Sequence, residues 1–171
     1  AGPWRMNDSR FWYVDDGTVA VADDGTVVVA WVDNRRQNVF LQRFDAAGEP
    51  LMAEPVDVSK SPEIFSWLPR LAVGPDGEHI SVLWQEIVFS GGSHGGEAFF
   101  ARSTDGGATF SDPVNLSQTT NGVGKGRLTE ERWDSGSLDI ARGPEGTVYV
   151  AWTSYQGPLH VARSTDGGRS F

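Results

Sequence analysis

The chain has 171 residues and a formal net charge of −9, with 39% hydrophobic and 11% aromatic residues. This composition is far from that of a disordered chain, so we expect a single globular unit over residues 1–171. The acidic balance argues against a nucleic-acid partner, which needs clustered Lys and Arg. No apolar run reaches membrane-spanning length, and the sequence has no Cys for disulfides or thiolate zinc sites.

Three segments of the sequence repeat one layout. They are VADDGTVVVAWVD at 21–33, VGPDGEHISVLWQE at 73–86 and ARGPEGTVYVAWTS at 141–154. Each begins with an acidic turn that ends on a Gly and continues through alternating β-branched residues to a Trp. The repeated position of these Trp residues predicts packing in the core rather than ligand contact. The residues concerned are Trp31, Trp84 and Trp152.

Each repeat has further strand-like runs before its turn and after its Trp. The runs TVAVA, RLAVG and LDIAR come before the turns, and NVFLQRF, AFFARS and LHVARS follow the Trp residues. A fourth run follows the next turn. Four short antiparallel strands in up-and-down order are typical of a propeller blade. The sequence therefore predicts an all-β propeller segment of three four-stranded blades, at about 17–60, 67–117 and 136–171.

The link between the third and fourth strands is written almost identically twice, as ARSTDGGATF at 101–110 and ARSTDGGRSF at 162–171. Short polar side chains can bond neighbouring backbone amides there, the Gly pair supplies positive φ, and the final Phe can enter the core. We therefore expect the repeated residues to be structural. They are Ser103, Asp105, Gly107, Thr109 and Phe110 in the first copy, and Ser164, Asp166, Gly168, Ser170 and Phe171 in the second.

This S-x-D-x-G-x-[ST]-F pattern resembles the Asp-box, or bacterial neuraminidase repeat, of sialidase-like β-propellers. The first blade has a reduced version in which Asp45 and Gly48 remain. The resemblance implies a six-bladed ring, of which three blades would be half, and an active site on the face opposite the Asp-boxes. It also implies that Asp105 and Asp166 hold the turns and do not catalyse.

The opposite face would be formed by connections that enter the first strand or leave the second strand of each blade. Acidic side chains there could serve as the paired carboxylates of a glycosidase, and indole rings could stack on sugars. The candidate catalytic residues are Asp15, Asp33, Glu86 and Asp134. The candidate substrate-binding residues are Trp12, Arg35, Arg36, Trp67 and Trp133. We expect the three Trp rings near one mouth, with long loops at 85–97 and 117–136 over the same face.

The resemblance is incomplete at the active site of the family. Arg35 falls on one Arg of the sialidase pattern, but Asp15 and Trp67 occupy positions where a substrate-binding Arg is typical. Three functions stay open: a sialidase-like glycoside hydrolase, a carbohydrate-binding propeller without catalysis, and a protein-binding scaffold. The resemblance indicates a glycan or glycoconjugate partner and a secreted or cell-surface location. No cofactor or metal is expected, since the three His residues are scattered.

The first residues of the chain continue the register of its last residues. When the N-terminal segment is joined after Phe171, it aligns with residues 110–116, and Pro3 falls on Pro113. Residues 1–7 therefore predict the missing fourth strand of the third blade. The pattern is equally compatible with a piece of a longer propeller and with two copies that exchange this strand to close a ring.

Overall fold

The structure is a computed structural model, and it describes residues 16–33, 37–61, 65–90, 93–119, 122–127, 131, 133–155 and 157–171. At 88–90, 93–95, 125, 127 and 133–135 it describes the backbone alone. All regular elements within these ranges are strands, except one 3-10 turn at Pro144–Gly146. The prediction of an all-β chain is confirmed.

The first sheet contains four antiparallel strands in sequence order: β1 (Gly17–Val21), β2 (Val27–Asp33), β3 (Asn38–Phe44) and β4 (Val56–Asp57). β2 reads VVVAWVD, and β-branched residues of this kind suit a pleated strand between two neighbours. In the β1–β2 turn, Asp24 Oδ1 accepts the backbone N–H of Thr26 at 2.8 Å. Gly25 has a φ of +85° in this turn, a conformation that favours glycine.

The second sheet is built on β5 (Phe65–Val73), β6 (Ile80–Ser90) and β7 (Ser93–Ser103). Two short strands share the outer edge of β7. β8 (Val114–Asn115) pairs with Phe99 and Phe100, and β9 (Lys125–Arg127) pairs with β7 at His94. β10 (Trp133–Ser135) then pairs with β9.

The expectation of long loops at 85–97 and 117–136 is wrong. The β6–β7 ladder runs without interruption to the pair Ser90 and Ser93, and the second segment contains the β9–β10 hairpin. A Cβ atom at Gly96 would overlap the buried Gln85 side chain. The glycine there therefore allows close packing within a strand.

The third sheet contains β11 (Leu138–Arg142), β12 (Val148–Thr153) and β13 (Leu159–Ser164). The first sheet thus has the predicted four strands, the second has six, and the third has three among the described residues. The fourth strand predicted from residues 1–7 lies outside the described residues.

The three sheets pack face to face in chain order. We call the face toward the preceding sheet the leading face, and the opposite one the trailing face; in the first sheet, the leading face is the one that carries Trp31. Leading faces carry the repeated Trp residues, each less than 10% exposed, so their predicted packing role is confirmed.

Residues between the first two sheets form one core cluster: Val28, Ala30, Val39, Leu41, Val58, Leu71, Ile80, Val82, Trp84, Ala101 and Phe110. Residues between the second and third sheets form another: Leu68, Leu83, Ala98, Phe100, Val123, Leu138, Val148, Val150 and Trp152.

The connections alternate between two ends of the sheets. The lower end carries the β1–β2, β5–β6 and β11–β12 turns, together with the repeated turns at 103–110 and 164–171, which we call the Ser103 turn and the Ser164 turn. The upper end carries the β2–β3, β6–β7 and β12–β13 connections. This alternation follows from antiparallel pairing of consecutive strands.

β5 has a bulge close to its upper end. Leu68 and Pro69 together oppose one residue of β6, and Leu68 has a φ of +50°. The extra residue reverses the alternation of side chains. Ser66, before the bulge, and Leu71, after it, therefore both lie on the leading face of the second sheet.

Candidate functional site

The two repeated turns have the same internal hydrogen bonds. The Ser103 hydroxyl donates to Asp105 Oδ1 at 2.7 Å and accepts the N–H of Gly107 at 2.8 Å. Asp105 also accepts the N–H of Thr109 at 2.9 Å and the Thr109 hydroxyl at 2.6 Å. The Ser164 turn repeats all four bonds, with Ser170 in place of Thr109.

These bonds stabilise the ionised carboxyl in each turn. The bonds from Thr109 and Ser103 hold the pKa of Asp105 below its ordinary value. In the Ser164 turn, the bonds led by Ser170 hold the pKa of Asp166 well below its ordinary value. Each carboxylate is thus an acceptor for its own turn, which supports the structural role expected from the sequence.

The final Phe residues of the two turns have different surroundings. Phe110 is buried in the cluster between the first and second sheets. Phe171 is 40% exposed and makes an edge contact with Phe100, with ring centroids 4.9 Å apart. Only the first copy of the turn therefore places its Phe in a core between two sheets.

The sequence-predicted site residues fall into three groups. Outside the described residues lie Trp12, Asp15, Arg35 and Arg36. Described by backbone only, within β10, are Trp133 and Asp134. Described with their side chains are Asp33, Trp67 and Glu86.

Trp67 lies at the upper end of the second sheet. It pairs with Gln85 in β6, toward the end of the ladder opposite the Ser103 turn. Its side chain is half-buried against the cluster between the second and third sheets. The backbone of Trp133 reaches the same end, because β9 joins β7 at His94.

Asp33 and Glu86 lie in different layers of the molecule. Asp33 ends β2, and strand alternation places it with Trp31 on the leading face of the first sheet. Glu86 lies on the leading face of the second sheet, where its partners include Trp84. The first sheet lies between the two carboxyls, so the structure does not bring this pair of candidates together.

Glu86 is a buried acceptor that connects three segments. It is 2% exposed, and its Oε1 accepts the Ser61 hydroxyl at 2.5 Å, the Ser66 hydroxyl at 3.0 Å and the Trp84 indole N–H at 2.6 Å. Its Oε2 is also buried and accepts no hydrogen bond within the part of the chain that the structure describes. Among the described residues, Oε1 therefore accepts all three hydrogen bonds and Oε2 accepts none.

Burial raises the pKa of the Glu86 carboxyl above its ordinary value of 4.5. The three donors on Oε1 oppose this rise, and the negative charge of Asp57 adds to it. The net effect shifts the equilibrium toward the neutral acid, and Oε2, which accepts none of the three hydrogen bonds, is the oxygen that can carry the proton. Such a carboxyl can donate a proton to a bound group when water is excluded.

A second carboxyl lies directly opposite Glu86. Glu97 is its register partner in β7, and side chains so paired have Cβ atoms about 4.5–5.5 Å apart on one face. Glu97 Oε2 accepts the Ser117 hydroxyl at 2.5 Å and the Thr119 N–H at 3.0 Å. We call Ser66, Glu86 and Glu97, which lie side by side on three strands, the carboxylate row.

Sequence reasoning placed Glu97 in a loop and did not pair it with Glu86. The pairing follows once the hairpin is centred on Ser90 and Ser93, because residues equally far from that turn face each other. The sequence did not indicate Ser61 and Ser66 as donors to Glu86, because they are distant from it along the chain.

The lower end carries a cavity of about 790 Å³. Turn residues of all three sheets line it, among them Asp23, Asp76 and Glu145. Arg142 in this cavity is half-buried and donates to the Ser81 hydroxyl at 2.8 Å. The cavity lies on the side of the Ser103 and Ser164 turns, away from the carboxylate row.

No protein-family model matches the sequence, and no curated protein matches it. Solved structures do share the fold. A Hadza microbial sialidase, Hz136, has a TM-score of 0.58 at 15% identity over 90% of this chain and 35% of its own. A GH43 endo-arabinanase from Bacillus licheniformis has a TM-score of 0.51 at 11% identity, over 86% of this chain and 52% of its own.

An N-acetylgalactosamine deacetylase from F. plautii, in complex with blood group B trisaccharide, is also similar, with a TM-score of 0.50 at 15% identity. The match covers 89% of this chain and 49% of that one. The chain thus spans between a third and about half the length of these structures. They support a propeller-like all-β fold for it.

Two kinds of feature are absent from the described residues. These residues contain no helix long and apolar enough to cross a membrane. Their side chains also contain no group of three or more His, Asp and Glu residues that could hold a metal ion.

Proposed function

We propose that this chain is part of a sialidase-like propeller whose upper end binds glycans. The observation that carries the proposal is the composition of the upper rim of the second sheet. That rim carries the carboxylate row on one face and the half-buried Trp67 on the other. Carboxylates and hydroxyls suit the hydroxyls of a sugar, and an indole plane suits its apolar ring face; because the two sets lie on opposite faces of the second sheet, a bound glycan would have to reach across the rim.

The fold neighbours support the same ligand class. By their names, one is a sialidase, one is a deacetylase bound to a blood group trisaccharide, and one is an endo-arabinanase. All three names refer to glycans, although their chemistries differ. We therefore propose the ligand class and leave the individual sugar to experiment.

A glycan array with the purified chain tests binding, followed by calorimetry on the best ligand. We expect Trp67→Leu to weaken binding about two- to tenfold, since aromatic stacking contributes about 0.5–1.5 kcal/mol. Leu51→Ala is the control, because Leu51 is exposed and follows the lower-end turn of the first sheet. A folded chain that binds no glycan on the array would overturn the proposal.

A second candidate function, glycoside hydrolysis, is favoured by the raised pKa of Glu86. The buried neutral acid would donate its proton to the leaving group, and Glu97 would supply the second carboxyl that such reactions need. Since Glu86 is 2% exposed, the segments that cover it must open before a sugar can reach Oε2.

A panel of chromogenic glycosides tests this second function. Glu86→Gln keeps an acceptor for the three donors but has no acidic proton to give, so we expect hydrolysis to fall by about 10²–10⁴-fold without a loss of melting temperature. Glu78→Gln, the same change at an exposed lower-end position, is the control. If Glu86→Gln hydrolyses at the normal rate, the catalytic role is wrong, while the binding proposal is unaffected.

A further inference from the structure

The lower-end cavity contains a departure from the repeat of the three sheets. Register pairing makes Arg142, the last residue of β11, equivalent to Val21 in β1 and Val73 in β5. By the same register, its hydrogen-bond partner Ser81 in β6 is equivalent to Val28 in β2. Val28 lies in the apolar cluster between the first and second sheets, and Val73 packs against that cluster. A polar pair therefore replaces an apolar pair where the third sheet packs on the second.

The guanidinium of Arg142 has more donors than this pair uses. One of its N–H groups donates to the Ser81 hydroxyl at 2.8 Å, and an Arg side chain carries several more. Within the described ranges, those other N–H groups have no acceptor. Burial lowers the pKa of Arg142 below its ordinary value of 12.5, and the negative charge of Asp76 opposes this shift. The side chain has thus lost hydration that one hydroxyl does not replace.

The carboxylates of the cavity are largely occupied by their own turns. Asp76 accepts two backbone N–H groups on Oδ1, at 3.0 and 3.2 Å, and its Oδ2 lies 2.6 Å from Nδ1 of His79. Asp166 accepts four hydrogen bonds inside the Ser164 turn. The other two acidic residues of the lining, Asp23 and Glu145, lie at exposed turns. Close to Arg142, the acceptors are therefore used while donors are left over.

Two further arginines line the same cavity. Arg102 belongs to the lower end of β7, and Arg169 belongs to the Ser164 turn. Guanidinium groups bind carboxylate, sulfate and phosphate oxygens through paired N–H groups. The volume of about 790 Å³ lies within the range of small-ligand sites, about 300–1,000 Å³. The cavity thus has both the donors and the space for a small anionic ligand.

We propose that the lower-end cavity binds an oxyanionic group, with Arg142 as the central binding residue and Arg102 and Arg169 beside the ligand. The carboxylate or sulfate of an acidic sugar and a small inorganic anion present the same chemistry to these arginines. The chain has a formal net charge of −9, which repels anions at long range. A bound anion is therefore held by contacts in the cavity and not by the overall field of the chain. This inference does not depend on the proposed function, which uses the opposite end.

Calorimetric titration of the 171-residue chain tests the site with digalacturonate, its neutral counterpart digalactose, and inorganic sulfate. We expect digalacturonate to bind at least about tenfold more tightly than digalactose, because only the acid can accept charge-assisted hydrogen bonds as an anion. Sulfate binding as tight as that of digalacturonate would support the site and assign it to a small anion, whereas weaker sulfate binding would assign it to an acidic sugar. A folded chain that binds neither anion would overturn the proposal.

Variants locate the binding, since a sugar at the upper end would also give a signal. Ser81→Val combined with Arg142→Val restores the valine pair of the first two sheets, so we expect a folded chain that binds anions about ten- to hundredfold more weakly. Arg102→Gln leaves the Arg142 pair intact and should also weaken binding. Arg163→Gln is the matched control, because Arg163 is the register equivalent of Arg102 and lies outside the cavity lining. Wild-type anion binding by the double variant or, if that variant does not fold, by Arg102→Gln would overturn the proposal.

Discussion

Removing the Glu86 side chain tests how strongly this carboxyl holds its three segments together. Glu86→Ala leaves the Trp84 indole N–H and the Ser66 hydroxyl without their acceptor, and both residues are fully buried. At about 1–3 kcal/mol for each unsatisfied buried donor, unfolding should become easier by about 2–6 kcal/mol. Ser61 is only half-buried and can turn to water, so we add nothing for it.

Urea unfolding followed by Trp fluorescence measures this loss, and Glu86→Gln is the matched variant because its amide oxygen still accepts the donors. The pKa of Glu86 is higher in the folded than in the unfolded state. Its stabilising contribution is therefore complete below pH 4.5 and is lost as the pH rises through the folded pKa. As the pH rises through the folded pKa, Glu86→Gln should therefore become more stable relative to wild type. If the free energy of unfolding of Glu86→Ala lies within about 0.5 kcal/mol of the wild-type value, the reasoning is refuted, because a difference of that size is typical of surface substitutions.

Three further predictions concern the repeated turns. Asp105→Ala should cost about 1–3 kcal/mol, because the bonds from Thr109 lose their acceptor, and a wild-type melting temperature would contradict this. The lowered pKa of Asp105 means that its contribution is present above pH 3.8 and is lost as the pH falls, so Asp105→Asn should flatten the acid limb of a stability profile. Gly168→Ala should cost about 1–3 kcal/mol more than Gly167→Ala, since both have positive φ but only the Gly168 Cβ would overlap Phe100; calorimetric melting of both variants decides this.

The sequence was most informative where local chemistry determines the structure. The alternation of residues before Trp31, Trp84 and Trp152 and the glycines of the turns predicted the central strands, because strand period and positive φ are local properties. The β9–β10 hairpin was missed because its short strands show no such period. Their pairing depends on the open edge of β7, which exists only in the folded sheet.

The candidate site was predicted less well for a geometric reason. Asp33 and Glu86 were both candidate carboxylates because each leaves the second strand of its blade, and they follow their Trp residues at the same spacing. Equivalent residues of consecutive sheets are kept apart by the thickness of one sheet, so repetition argues against contact between them. The true neighbour of Glu86, Glu97, is found from the hairpin register within one sheet.

The bulge at Leu68 and Pro69 divides β5 into two parts that obey different constraints. Residues after the bulge keep the side-chain pattern shared by all three sheets, because they pack against a neighbouring sheet. Residues before it follow their own alternation toward the upper rim. The bulge lets the rim side of β5 change its register without shifting the residues after it, but Trp67 and Leu68 still pack on the core between the second and third sheets. Over evolutionary time, the rim of this sheet can therefore vary only where those two core contacts are kept.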